Sequence, residues 1–135
     1  MRPTIYLAGP IRLADDPTGW RATVRQSTRE FDFIDPTTRD IDADSPAGEV
    51  VEGDLELIND AEGLFVGWHD DVPSCGTPME VIHAARHDIP VVIWRRDAGE
   101  RTLSPWLRYH ADVIREQRDA ALWQLHGRVS GGVEA

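Results

Sequence analysis

Lysine is absent from this 135-residue chain, and cysteine occurs once, at Cys75. All 14 basic residues are therefore arginine; they stand against 24 acidic residues, and the formal net charge at neutral pH is −10. That balance excludes non-specific attachment to nucleic acid or to an anionic membrane surface, both of which need a cationic face. One cysteine excludes an internal disulfide and fits a reducing compartment. No apolar run approaches the ~20 residues needed to span a bilayer, and the first residues lack the basic stretch of a secretory signal. The absences together predict a cytoplasmic protein with no nucleic-acid and no membrane partner.

What is present reads as one globular domain. An apolar content of 41% supplies a core, expected over residues 1–127, with a disordered tail over 128–135. The runs TIYLAG (4–9), FDFID (31–35), GLFVGW (63–68), IPVVIW (89–94) and the shorter ADVIRE (111–116) are strand-like. Between them lie helix-like stretches: a polar one at 19–30, EVVEGDLELINDA (49–61), the segment after Thr77, SPWLRYH with Ser104 as cap, and a closing helix ending at Gly127. Alternating strands and helices with short connections predict an α/β fold. It is a single-domain, doubly wound, Rossmann-like parallel sheet of about five strands flanked by helices. Such sheets bind ligands beyond the carboxyl ends of their strands. That places the loops 9–19, 69–77 and 95–104 where chemistry is expected.

Several familiar signatures are missing from those loops. There is no G-x-G-x-x-G and no G-K-[ST], hence no dinucleotide fingerprint and no P-loop. His83 and His87 are four apart on one helix but lack the intervening glutamate of a zincin and a third ligand, so no metal and no cofactor are expected. Cys75 precedes a helix but has no histidine partner that would make it a nucleophile.

The carboxylates carry more. Glu80 stands in the first turn of a helix, in the run SCGTPME. Capping alone could explain it, with Thr77 as N-cap, Pro78 as first helical residue and Glu80 closing a capping box. Asp54 interrupts the amphipathic stretch 49–61 on the face shared by residues 51, 58 and 61. It is either a boundary charge on the rim or a partly buried acid with a raised pKa. Paired, the two would give the nucleophile and proton donor that glycosidic cleavage needs. Arg12, Ser74 and Ser104 form a second group: one cation and two hydroxyls near helix starts, a local device able to hold an anion against the acidic overall field. Trp20 and Trp68, with His69, are candidates for a wall on which a base stacks, although core or rim packing explains the tryptophans equally well.

Three motifs in order, IYLAGPIR, GDLELINDAEGLFVGW and SCGTPME, resemble the nucleoside 2-deoxyribosyltransferase superfamily over residues 4 to about 115. The resemblance implies that Glu80 is the nucleophile at C1′ of the sugar, that Asp54 handles the base and that Tyr6 orients the glutamate. It also separates two branches. Transferases that exchange bases tend to carry an acidic residue six positions before the nucleophile, where it binds the free 5′-hydroxyl; here that residue is Ser74. A serine there is similar to the branch that hydrolyses nucleoside 5′-monophosphates. In that branch the phosphate is held by the loop after the first strand, here Gly9, Pro10, Ile11 and Arg12, by Ser74 and Gly76, and by a serine from a neighbouring subunit, matched by Ser104.

The resemblance thus implies an N-glycosidase that takes a small-molecule nucleotide, needs no cofactor and works as a homodimer or higher homo-oligomer. Base exchange between deoxynucleosides and a non-catalytic nucleotide sensor are the alternatives. Proline at position 10, and Asp15 and Asp16 in a longer first loop, depart from the family pattern and bear on which nucleotide is the substrate.

Overall fold

A computed structural model describes residues 2–11 and 14–130. Five strands, β1 (Thr4–Ala8), β2 (Asp32–Ile34), β3 (Gly63–His69), β4 (Val91–Arg96) and β5 (Val113–Arg115), alternate with five α-helices. The helices are α1 (Gly19–Ser27), α2 (Ala47–Asn59), α3 (Gly76–Arg86), α4 (Pro105–His110) and α5 (Arg118–Val129), with one 3-10 turn among the described residues at Pro36–Thr38. The strands form one sheet in the order β2-β1-β3-β4-β5, every neighbouring pair parallel. The parallel α/β sheet expected from the sequence is the one observed.

Both faces of the sheet are covered, and the two-residue period of each strand sorts its side chains between two cores. Tyr6, Ala8, Leu64, Val66, Val91 and Ile93 pack with Ile58 of α2, Val81 and Ala84 of α3, and Leu107 of α4. Ile5, Leu7, Phe65 and Val92 pack on the opposite face with Trp20 and Val24 of α1 and Ala121, Leu122 and Leu125 of α5.

Strand order reverses between β1 and β3, because β1 passes to β2 on one side and the chain then returns to β3 on the other. At such a reversal the helices leave in opposite directions and open a crevice beyond the carboxyl ends of the two strands. The loop after Ala8 and the loop from Asp70 to Cys75 border that crevice.

Some boundaries differ from expectation for local reasons. The first helix stops at Ser27, since Thr28 is extended (φ −153°, ψ 152°) and turns the chain into β2. The second begins two residues early, directly after Pro46, whose fixed φ suits a helix start. The last helix runs past Gly127 to Val129, because Val129 packs on the α1–α5 core. It thus enters the stretch expected to be tail. Residues 131–135 lie outside the described ones.

Candidate active site

β1 delivers Tyr6 to the α2–α3 face of the sheet, and α3 delivers Glu80 to the same place; with the helix starting at Gly76, Glu80 stands just past the first turn rather than in it. The Tyr6 hydroxyl donates to Glu80 Oε2 at 2.7 Å. Tyr6 is fully buried, so its hydroxyl needs a partner, and this carboxylate supplies it.

The expected capping box is not formed. The helix starts at Gly76, with Thr77 buried inside its first turn and Pro78 third rather than first. Ser74 does the capping: its Oγ accepts from the Thr77 N–H at 3.3 Å, and its hydroxyl donates to Thr77 Oγ1 at 2.8 Å. Because Ser74 and Thr77 satisfy each other, Glu80 is released from the helix terminus and reaches across to Tyr6.

Although Glu80 keeps some surface open to solvent, burial dominates its acidity and pushes its pKa up to about 7. The Tyr6 hydrogen bond opposes that rise, the negative charge of Asp54 adds to it, and the positive charge of Arg21 opposes it. Tyr6 is raised strongly, first by burial and then by the Glu80 charge. The phenol therefore stays protonated and acts as a fixed donor.

Asp54, from α2, faces this pair closely enough for its charge to be felt by both Tyr6 and Glu80. Its Oδ1 is bound by Arg39 Nη1 at 2.5 Å. Arg39 was not singled out in the sequence.

Neither was Arg21, a fully buried guanidinium. Arg21 donates to the carbonyls of Leu7 (3.2 Å), Gly9 (2.9 Å) and Pro17 (2.5 Å). Asp35, buried at the end of β2, lies 3.9 Å from its Nε. Desolvation lowers the Arg21 pKa to about 10, which leaves the cation in place at neutral pH. It joins the carboxyl end of β1 to the start of α1.

The residues assigned to phosphate are placed unevenly. Gly9 and Pro10 are buried and Ile11 is exposed at the carboxyl end of β1. Arg12 lies outside the described residues. Gly76 sits in open space at the start of α3. Pro78 has no N–H and the Thr77 N–H bonds Ser74, so the Gly76 N–H is the donor that this turn offers a ligand. Ser104 is exposed, and its Oγ accepts from the Trp106 N–H at 3.2 Å, the cap expected of it.

The two tryptophans part company. Trp68 has the parity of Leu64 and Val66 and packs, half-buried, on the Tyr6 side. Trp20 is on the other face and only 7% exposed. A β-carbon added at Gly9 or Gly67 would come within 2.7 or 2.6 Å of its ring. Trp20 is thus core against bare backbone, and a base-stacking role for it is corrected accordingly. His69 turns away from Trp68, with Nε2 3.4 Å from Asp97 Oδ2 and Nδ1 accepting from the Asp71 N–H.

A groove of about 860 Å³ lies at the amino ends of β4 and β5 among Arg86, Pro90, Tyr109, Asp112 and Arg128. It contains none of the groups above; convergence of reactive side chains, not volume, locates the site. Among the described residues, no three His, Cys, Asp or Glu side chains come together as metal ligands.

No protein-family model matches the chain, and no curated protein matches it. Solved structures do. The 2-deoxyribosyltransferase of Bacillus psychrosaccharolyticus superposes with a TM-score of 0.70 at 17% identity, covering 87% of this chain and 88% of that one. The 2-deoxyribosyltransferase of Leishmania mexicana gives 0.70 at 18% identity, with 90% and 95% covered. The CMP N-glycosidase BcmB of Clostridium botulinum gives 0.57 at 14% identity, with 90% and 97% covered. The chain therefore has the fold of these nucleoside- and nucleotide-named enzymes, and at such identities the likeness is one of fold. Fold hosts many activities, so the activity has to be argued from the side chains.

Proposed function

We propose that the protein is a retaining N-glycosidase. It hydrolyses a nucleoside or deoxynucleoside 5′-monophosphate to free base and the sugar 5-phosphate. The observation that carries the reading is the Tyr6–Glu80 contact, 2.7 Å long, at the β1–β3 crevice with the Asp54 charge beside it.

Glu80 Oε2 is engaged by Tyr6, and among the described residues Oε1 has no hydrogen-bond partner. Oε1 attacks C1′ of the sugar while the C1′–N bond breaks, its electron pair leaving with the base and a proton reaching the base from the Asp54 side or from water. Water then adds at C1′ of the glycosyl ester, losing a proton to the departed base's side of the site, at Asp54, or to solvent. The C1′–O bond to Glu80 breaks and the carboxylate is restored under the Tyr6 hydroxyl. Each step passes through an oxocarbenium-like transition state, whose positive charge develops beside the Glu80 carboxylate.

The monophosphate is favoured by Ser74. The Ser74 hydroxyl, six residues before the nucleophile, donates to Thr77 Oγ1 in the structure and would turn that proton to a phosphate oxygen, a ligand that a carboxylate there would repel. The Gly76 N–H lies alongside, and Arg12 belongs to the same group of residues. Ser104 is assigned to the site of a second subunit. It stands at the start of α4 beside Trp106 and Tyr109, which are 67% and 85% exposed. A chain that sediments as a monomer at micromolar concentration would remove Ser104 from the site.

The second reading, base exchange between deoxynucleosides, uses the same Glu80, Tyr6 and Asp54 and is the activity named for two of the structures that share this fold. One experiment separates them: incubation with each ribo- and deoxynucleoside 5′-monophosphate and with the matching nucleosides, free base being resolved by chromatography. Hydrolysis predicts base from monophosphates only, with a rate indifferent to an added second base. Release from nucleosides, accelerated by a second base, would identify a transferase.

A further inference from the structure

Arg39 follows the 3-10 turn beyond β2 and lays its guanidinium on the first turns of α2. Nη1 donates to Asp54 Oδ1 at 2.5 Å and to the Val50 carbonyl at 3.1 Å, and Nη2 donates to the Glu49 carbonyl at 3.1 Å. Only about a fifth of either side chain is exposed, 21% for Arg39 and 19% for Asp54.

The helix makes room for this. A β-carbon at Gly53 would stand 2.0 Å from Arg39 Nη2 and 2.6 Å from Cζ, so any other residue there would push the guanidinium off. A glycine inside a helix costs stability relative to alanine, and the cradle is what that cost maintains. With Oδ1 taken by Arg39, Asp54 Oδ2 has no hydrogen-bond partner among the described residues.

We propose that Arg39 is a positioning residue of this site: seated over Gly53, it holds the Asp54 carboxylate in one orientation with Oδ2 turned free for the departing base. The inference rests on the proposed function, in which Asp54 attends that base. Arg39 touches no substrate and acts through Asp54, as its planar fork allows and a lysine's point charge would not.

The test compares wild type with R39A, R39K, G53A, D54N and the double variant R39A/D54N. Each is assayed on the best natural monophosphate and on a 4-nitrophenyl ribofuranoside 5-phosphate, whose leaving group departs without a proton. R39A and G53A should lower kcat on the nucleotide about 10- to 100-fold with KM little changed, the usual consequence of a slightly misaimed group. On the nitrophenyl substrate both should stay within a few-fold of wild type, since Asp54 is not needed there. R39K should recover part of the loss, and R39A/D54N should be no slower than D54N.

G53A keeps every functional side chain, and alanine favours a helix, so it remains informative if R39A folds poorly. Unchanged kcat in R39A and G53A, or losses that add fully to that of D54N, would overturn the proposal. If wild type releases no base from any substrate, the proposed function fails on its own. The positioning claim is then read from the Glu80 titration followed by carboxyl-carbon NMR, Glu80 being faced by Tyr6, Asp54 and Arg21. Removing Arg39 from Asp54, by R39A or G53A, should move the midpoint up, and D54N should move it down. A midpoint unmoved in both R39A and G53A would contradict the positioning role.

Discussion

Tyr6 and Glu80 stand 74 positions apart in the chain, and the phenol of one donates to the carboxylate of the other across 2.7 Å. The bond ties β1 to the amino-terminal part of α3 and leaves Glu80 Oε1 as the oxygen without a hydrogen-bond partner among the described residues. Tyr6→Phe removes the donor and keeps the ring. A hydrogen bond to a charged acceptor contributes about 1.5–3 kcal/mol, so kcat near neutrality should fall roughly 10- to 100-fold. Since that bond lowers the Glu80 pKa, the acid limb of the pH–rate profile should also move to higher pH. A profile that keeps its position would show that the contact does not govern the nucleophile.

The same carboxylate makes the protein less stable as the solution becomes basic. Its folded-state pKa, about 7, lies above the ordinary 4.5, so between those values the folded protein holds a proton that the unfolded chain has released. Stability from this group is therefore greatest in acid and declines as pH rises toward 7. Glu80→Gln carries no such penalty. Its melting temperature should match wild type near pH 4.5 and exceed it by several degrees at pH 8, on the order of 2 kcal/mol, while activity is lost. Parallel curves of melting temperature against pH would remove the buried charge from the account.

How much of this was legible in the sequence differs residue by residue. The order of strands and helices followed from alternating apolar runs and turn residues, because both faces of a parallel sheet demand them. Glu80, Asp54 and Tyr6 stood out through motif resemblance. Their meeting depends on contacts across the fold: Tyr6 and Glu80 are far apart in the chain, and no local spacing could show it. The capping box was misplaced by local chemistry, since Ser74 and Thr77 compete for the same cap and Thr77 is better buried than exposed at a terminus. Arg21 and Arg39 went unseen because each bonds backbone carbonyls that no sequence pattern advertises. The one sequence signal of Arg39 is Gly53, a glycine that costs a helix stability and whose missing β-carbon leaves room for the guanidinium.

Asp70 anchors the loop that follows β4. It accepts from Arg95 Nε at 2.9 Å, Arg95 Nη2 at 2.5 Å and the Gly99 N–H at 2.9 Å. The Arg95 hydrogen bonds hold its pKa at about 2, below the usual 3.8. That stability is fully present above about pH 4 and disappears as pH falls through 2. Asp70→Asn should cost roughly 2–3 kcal/mol at neutral pH, leaving a largely buried guanidinium uncompensated. The gap from wild type in urea unfolding should narrow steadily from pH 4 to pH 2; a constant gap would contradict the assignment.

Trp20 and Trp68 should respond differently. Gly67→Ala drives a methyl to within 2.6 Å of the Trp20 ring and should destabilise by about 1–3 kcal/mol, read as a lower melting temperature with KM preserved. Trp68→Ala should instead raise KM, because its ring lies on the Tyr6 face. If Gly67→Ala changes KM and Trp68→Ala does not, the two tryptophans have been assigned to the wrong sides.

The central claim is that Glu80 forms a bond to the sugar, and the mass of the protein reads it directly. Wild-type enzyme mixed with a turned-over 5′-monophosphate and quenched in acid within milliseconds should carry one pentose 5-phosphate, on the peptide containing Glu80. Glu80→Gln should carry none. Steady base release from wild type with no adduct at any quench time, or an adduct that persists in Glu80→Gln, would contradict the mechanism.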